Sequence, residues 1–420
     1  MKTSSYSFIG IRKHFWKEVF YNIQLYQDAI EMTEIKSKSP KYILPLKLST
    51  VIEITGQVSK NNRNFSGFQF KYKDTTKLMN CRSSDIAIFM DMVSNQITFL
   101  NITMFYQAIE IIGRGSSSSV SVLIDTYSQE QFAVKSIDKE YLQKNDKLQI
   151  LFENEVKILQ ELTKYNNQNY FVHLYRVFES KTSYYLIQNL MKGKSLTAYY
   201  NKIKKQSDTK LFSSDIIKLI MRRLLSGVSL LHCHRIIHRD LKPDNLLLLE
   251  PNNVDTLAIA DFGLATYSNV EKQNSQLSNR YSYPICGTKG YMAPEITHYK
   301  DGQIKYDEQI DIYSIGVIFI WLYFFYNPRL TGDIDRHNPK LLKLDSITQN
   351  LMNNLLKSNP KERLSAQAAL DHPYFQTDET TKKTFQSQYG FENVDCDSII
   401  QHEDLKNYYL PMMKKPQRQI

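Results

Sequence analysis

Apolar positions in roughly the first eighty residues alternate, which is a strand pattern. The segments FWKEVFYNIQLY, AIEMTEIKS, YILPLKLSTVIEIT and FSGFQFKYKD are short, rich in aromatic and β-branched residues, and divided by polar stretches such as SKNNRN. In SSDIAIFMDMVSNQITF the period changes, and Ile86, Phe89, Met90 and Val93 fall at helical spacing. A strand-rich unit closed by one helix is therefore expected over residues 8–102.

A second pattern starts near residue 107. AIEIIGRGSSSSVSVLIDTYSQEQFAVKSI alternates as a twisted hairpin, and KLQILFENEVKILQEL is an amphipathic helix. Along that helix Leu148, Phe152, Glu155, Leu159 and Leu162 step by four and three, so they share one stripe. Another strand pair follows, HLYRVFE and SYYLIQNL, and residues 213–375 read as mostly helical. The expected class is α+β: a small β-rich lobe over about 107–190, a larger helical lobe over about 191–375, and a polar tail over 376–420.

Composition narrows the options. The chain has 420 residues, 42% hydrophobic and 23% charged, with only 14 Gly and 12 Pro, which excludes long disorder or collagen-like structure for the whole. Cys81, Cys233, Cys286 and Cys396 have neither metal-site spacing nor the density of a disulfide scaffold, which implies a reducing compartment. The start, MKTSSYSFIGIRKHFWKEVF, breaks its apolar run with charge, and no later stretch offers roughly eighteen apolar residues without charge, so a cytoplasmic protein is expected. Net charge is +10, and residues 1–105 hold most of the excess, with 14 Lys or Arg against 8 Asp or Glu. That balance fits an anionic surface as partner or a plainly solvated one; without zinc-finger spacing or a basic helix, no nucleic acid is expected.

The first candidate chemistry is the turn Gly113-Arg114-Gly115-Ser116-Ser117-Ser118-Ser119-Val120 between two strand signals. Glycines let a turn pass close over phosphates, although a turn between strands needs them in any case. Alternation in FAVK puts Lys135 on the inward face with Ala133, where an unpaired ammonium is costly. Glu155, the charged member of the helical stripe, is its obvious partner.

Further along stand HRDLKPDN at residues 238–245, DFG at 261–263 and Ala293-Pro294-Glu295. With the Gly-rich turn and FAVK they keep the order and separations of the eukaryotic protein kinases that act on serine and threonine, which the chain resembles over residues 107–375. The resemblance implies a bilobal fold, ATP and Mg²⁺ as cofactors, and protein hydroxyls as substrates. It implies that Lys135, positioned by Glu155, contacts the α- and β-phosphates, and that Asn245 and Asp261 hold the metal. Asp240 would orient the incoming hydroxyl and accept its proton, with Lys242 steadying the transferring group. Gly113, Gly115 and Ser118 would cover the phosphates; Val120, Ala133 and Leu247 would surround adenine, Ile187 would gate the pocket behind it, and the backbone from Gln188 to Leu190 would form the hinge. Leu159, Leu174, Phe262 and His238 match a stack linking the lobes above Asp311, Glu295 is expected to pair with Arg363, and Thr288 to reach Asp240 and Lys242.

Some positions depart from that family's pattern. Ser118 replaces the third glycine of the loop, Asn359 stands for the usual Asp, and Lys194 occupies the place of the acid that selects arginine-rich substrates. The usual phosphosite position falls on Pro284, which leaves Ser282 as the nearest suitable hydroxyl. A nucleotide-binding pseudokinase scaffold is the alternative, opposed by the intact Asp240, Asn245 and Asp261.

Residues 8–100 resemble a pleckstrin-homology domain, a bent antiparallel barrel plugged by its C-terminal helix. Trp16-Lys17 looks like the start of that family's second strand, but Val19 stands where its lipid-binding members carry a basic residue, and the closing helix lacks the usual Trp. The resemblance implies peripheral association with anionic phospholipid through Arg12, Lys13 and Lys17, or a protein partner; solvated strand-edge residues and a membrane-recruited adaptor are the other readings.

Overall fold

The computed structural model describes residues 4–115, 118–206, 212–268, 286–297, 307–325 and 343–376. Alternation at the start of the chain becomes seven strands: β1 (Tyr6–Lys13), β2 (Glu18–Leu25), β3 (Ala29–Glu34), β4 (Tyr42–Pro45), β5 (Val51–Ser59), β6 (Asn62–Tyr72) and β7 (Thr75–Cys81). They pair antiparallel in the order β4-β3-β2-β1-β7-β6-β5. Helix α1 (Ser83–Val93) buries Ile86, Phe89, Met90 and Val93, the residues its periodicity picks out. Phe89 stacks on Phe68 of β6 at 5.2 Å between ring centroids, so helix and sheet share one core.

Two expectations need correction here. Trp16 does not open the second strand; it lies with Phe15 between β1 and β2, 90% exposed. Nor do the described strands close into a barrel, because the open edge of β5 is taken by β8 (Thr98–Phe99), which runs parallel to it.

β8 also pairs parallel with β12 (Leu174–Glu179), and so joins the N-terminal strands to those of the small lobe. After α2 (Ile102–Phe105), that lobe is built from β9 (Tyr106–Arg114), β10 (Ser118–Asp125), β11 (Gln131–Asp138), β12 and β13 (Ser183–Asn189) in the order β12-β13-β11-β10-β9. Between β11 and β12 come α3 (Lys139–Gln143) and α4 (Asp146–Tyr165), the second begun by the Asn145 side chain accepting from the Lys147 N–H. The N-terminal core does not stop at its own strands: Phe105, Tyr106, Leu123, Val134, Phe178 and Ile187 belong to the same buried cluster.

The large lobe is helical, as expected. It comprises β14 (Lys194–Ser195), α5 (Leu196–Gln206), α6 (Ser214–Cys233), the short strands β15 (Ile236–Ile237), β16 (Leu246–Leu248), β17 (Leu257–Ile259) and β18 (Thr266–Tyr267), then α7 (Pro294–Thr297), α8 (Gln309–Phe324), α9 (Ser346–Leu355) and α10 (Ala366–Leu370). Helix α8 is apolar around most of its circumference and is accordingly buried from Ile310 to Leu322 on nearly every side. Small sheets β14-β16-β17 and β15-β18 lie beside the HRD and DFG segments. None of the described helices is long and apolar enough to cross a membrane.

Candidate active site

Strand β11 pairs with β10 on one side and β13 on the other, setting Lys135 opposite Val120 and Leu186. Its Nζ lies 2.6 Å from Glu155 Oε1 on α4 and 2.9 Å from Asp261 Oδ1. Glu155 is 4% exposed, so its carboxylate sits in a place that only a paired charge tolerates. Burial pulls the Lys135 pKa down, but the two carboxylates outweigh it and hold the ammonium charged, above its ordinary range. Attraction to Lys135 is also the main reason the Asp261 carboxyl is held down to about 2.

Gly113 and Gly115 stand where the chain passes from β9 to β10, and the Gly115 N–H donates to Ser118 O at 2.7 Å. A Cβ at Gly113 would stand 3.7 Å from Val120, so the protein's own packing leaves room there. Gly263 differs, for a Cβ there would meet Asp261 Oδ1 and Lys135 Nζ at 3.4 Å and Glu155 Oε2 at 3.5 Å. Those distances are ordinary van der Waals contact, so the glycine lies directly against all three charged groups.

The HRD segment is held from beneath. Asp311, 1% exposed, accepts the backbone N–H groups of His238 at 2.8 Å and Arg239 at 2.9 Å, and contacts His232 Nε2 at 3.2 Å. Burial alone would raise its pKa, yet these contacts lower it. His238 Nδ1 accepts the Asp240 N–H at 3.2 Å, which leaves Nε2 carrying the proton it donates to Ala260 O at 3.0 Å. Its ring lies against Phe262 at 5.1 Å, and Leu159, Leu174, Phe262 and His238 are all fully buried.

Asp240 is fixed from three sides. Lys242 Nζ donates to Oδ2 at 2.6 Å, the Thr288 hydroxyl donates to Oδ1 at 2.6 Å, and Asn245 Nδ2 donates to its carbonyl at 2.8 Å and to Oδ2 at 3.1 Å. Lys242 also donates to Thr288 Oγ1 at 2.8 Å, closing the group on itself. The Arg363 guanidinium, fully buried, grips both Glu295 oxygens at 2.6 Å in a fork.

A divalent metal would have to rely on few side chains, since among the described residues no group of three or more His, Cys, Asp or Glu could hold one. Asp261 is half-exposed and Asn245 spends its amide N–H on Asp240, so each keeps a hard oxygen not engaged by the described residues. Two such donors completed by water and phosphate suit Mg²⁺. Ala133 pairs with Gln188 and Val134 with the fully buried Ile187, while Leu247 comes from β16, paired to β14 just past Leu190. Ser282 lies outside the described residues. Arg12 donates to the Tyr42 hydroxyl at 2.6 Å and Lys13 lies 3.6 Å from Glu18, so two of the three candidate lipid contacts already have partners.

Sequence reasoning passes over the second anchor of α4. Glu161 accepts from the Tyr267 hydroxyl at 2.8 Å and lies 3.0 Å from His234 Nδ1, tying the helix to the large lobe. Glu161 falls off the apolar stripe and reads as solvent-facing, so no local signal reveals it.

Residues 106–375 match the family model described as protein kinase domain. The chain is 30% identical over 292 residues to a "probable serine/threonine-protein kinase", fhkC, of Dictyostelium discoideum, a match covering 67% of this chain and 46% of that protein. It is 27% identical over 327 residues to a "probable myosin light chain kinase" of the same organism, covering 75% and 96%. Serine/threonine-protein kinase 33 of Mus musculus is 31% identical over 288 residues, covering 64% and 54%. The chain thus spans about half the length of several relatives it matches.

Proposed function

The chain belongs to the protein kinase family, and on that premise we propose that it transfers the γ-phosphate of Mg-ATP to serine and threonine hydroxyls of proteins. The observation that carries the reading is the clasp of Asp240 by Lys242, Thr288 and Asn245, beside an intact Lys135–Glu155 pair. Phosphoryl transfer needs little covalent work from a protein, so placement and charge dominate. Asp240 keeps one face toward the incoming hydroxyl and accepts its proton, and Lys242 offsets charge on the transferring group. Lys135 contacts the α- and β-phosphates from the position that Glu155 sets. Asp261 and Asn245 supply hard oxygens for Mg²⁺, which when bound screens the phosphate charge. The backbone of Gly113, Gly115 and Ser118 covers the phosphates, with Val120, Ala133, Ile187 and Leu247 around adenine and Gln188 to Leu190 as hinge. Asp240→Asn is expected to lower transfer by about 10²–10⁴-fold while ATP still binds; undiminished transfer would refute the role of Asp240. Without bound transfer, the pseudokinase scaffold is the alternative, and phosphate on Ser282 is the proposed activating signal.

A second proposal concerns the N-terminal region, read as a pleckstrin-homology-like domain that brings the chain to anionic membrane. Its support is the strand order β4-β3-β2-β1-β7-β6-β5 capped by α1, and a hairpin tip where Phe15 and Trp16 stand 89% and 90% exposed between Lys13 and Lys17. Exposed aromatics beside lysines suit a headgroup boundary. The full chain should sediment with phosphatidylserine vesicles at low salt and Phe15→Ala/Trp16→Ala should not; failure of the unaltered chain to sediment rejects the proposal.

A further inference from the structure

Helix α4 must hold Glu155 against Lys135, yet the contacts that orient it come partly from outside the small lobe. Gln160 lies five residues beyond Glu155, about 7.5 Å along the axis and about 140° around it. One face of the helix can therefore serve Lys135 while another meets the N-terminal unit. The Gln160 side-chain amide donates to the backbone carbonyl of Asn95, two residues past the end of α1.

Asn95 is itself 7% exposed, and its Nδ2 donates to Leu174 O at 3.1 Å on β12. The Leu174 N–H returns to Thr163 Oγ1 on α4 at 3.2 Å. A closed loop of bonds thus links α4, β12 and the segment after α1. It is backed by Asp91 at 2.9 Å from Arg176 and by β8, which pairs with β5 and β12 at once. Leu159 and Leu174, beside these bonds in sequence, are both fully buried members of the core that includes Phe262.

Resting on the kinase reading, we propose that Gln160 is a positioning residue for phosphoryl transfer, through which the N-terminal unit holds α4 where Glu155 engages Lys135. A helix bearing a buried carboxylate has an alternative state, in which it swings or turns so that Glu155 reaches water. The Gln160–Asn95 bond exists only in the engaged state and so biases the equilibrium toward it. The N-terminal unit is then part of the catalytic apparatus rather than a passenger on it.

The test compares Gln160→Leu, which removes the donor at similar volume, with Gln160→Lys, which keeps a donor for the carbonyl, in the full chain. For Gln160→Leu, kcat should fall about five- to ten-fold, the size expected for losing one partly buried hydrogen bond from the competent state, with KM for the protein substrate unchanged. Amide exchange over residues 150–160 should quicken while the urea midpoint of the chain holds, and Gln160→Lys should recover most of both effects. Wild-type kcat and exchange in Gln160→Leu would overturn the proposal, as would equal losses in the two variants or a loss of kcat without faster exchange. If the unaltered chain transfers no phosphate, the kinase reading fails by itself, and the exchange measurement still reports whether Gln160 holds the helix.

Discussion

Asp261 shows how one residue's surroundings set its chemistry. Its backbone sits at φ +61°, a left-handed conformation unusual for a residue with a side chain, and this turns the carboxylate toward Lys135. The pKa of about 2 lies below the roughly 3.9 of an aspartate in the unfolded chain, so over that interval the folded state binds fewer protons. The resulting stabilisation is present above about pH 4 and is lost as pH falls through about 2. Asp261→Asn removes it, so the gap in urea midpoint between wild type and variant should narrow from pH 6 to pH 3; a constant gap would contradict the pairing. Residues of this kind were legible in the sequence because the chemistry dictates their type and order. Asp240, Lys242 and Thr288 form one bonded group as the motifs imply, and Glu155 reaches Lys135 as its place on the stripe implies.

Elements with a long period were equally legible, and those without one were not. Helix α1 buries the residues that its spacing marks, and α4 buries Phe152, Glu155, Leu159 and Leu162 of its stripe while leaving Leu148 half-buried. Strand β8 has only two residues and no periodic signal, yet it decides how the first seven strands end. The segment YILPLKLSTVIEIT reads as one strand because β-branched residues run through it, but the chain turns between β4 and β5. Close backbone approach governs Gly67 on β6, where φ is +156° and a Cβ would fall 1.9 Å from Met79 O on β7. Gly67→Ala should therefore destabilise the N-terminal strands by about 2–4 kcal/mol. Loss of protection in β6 and β7 by hydrogen exchange would register it, and a neutral effect would show that the pair tolerates the displacement.

Across the whole molecule, the lobes and the N-terminal strands converge on α4, through Lys135 at its front, Glu161 toward the large lobe and Gln160 toward Asn95. Long-range contacts of this sort lie outside what periodicity reports, since the partners are 65 and 73 residues apart in the chain. The same convergence explains why a boundary near residue 105 is a boundary in sequence pattern but not in the hydrophobic core, which runs across it. All of these contacts bear on the reaction proposed for Asp240. The most direct test is transfer from γ-labelled Mg-ATP to a protein substrate by the full chain beside Asp240→Asn, followed by phosphoamino-acid analysis. Label on serine or threonine that disappears in the variant is the predicted result; ATP binding with no transfer, or label confined to tyrosine, would contradict the account.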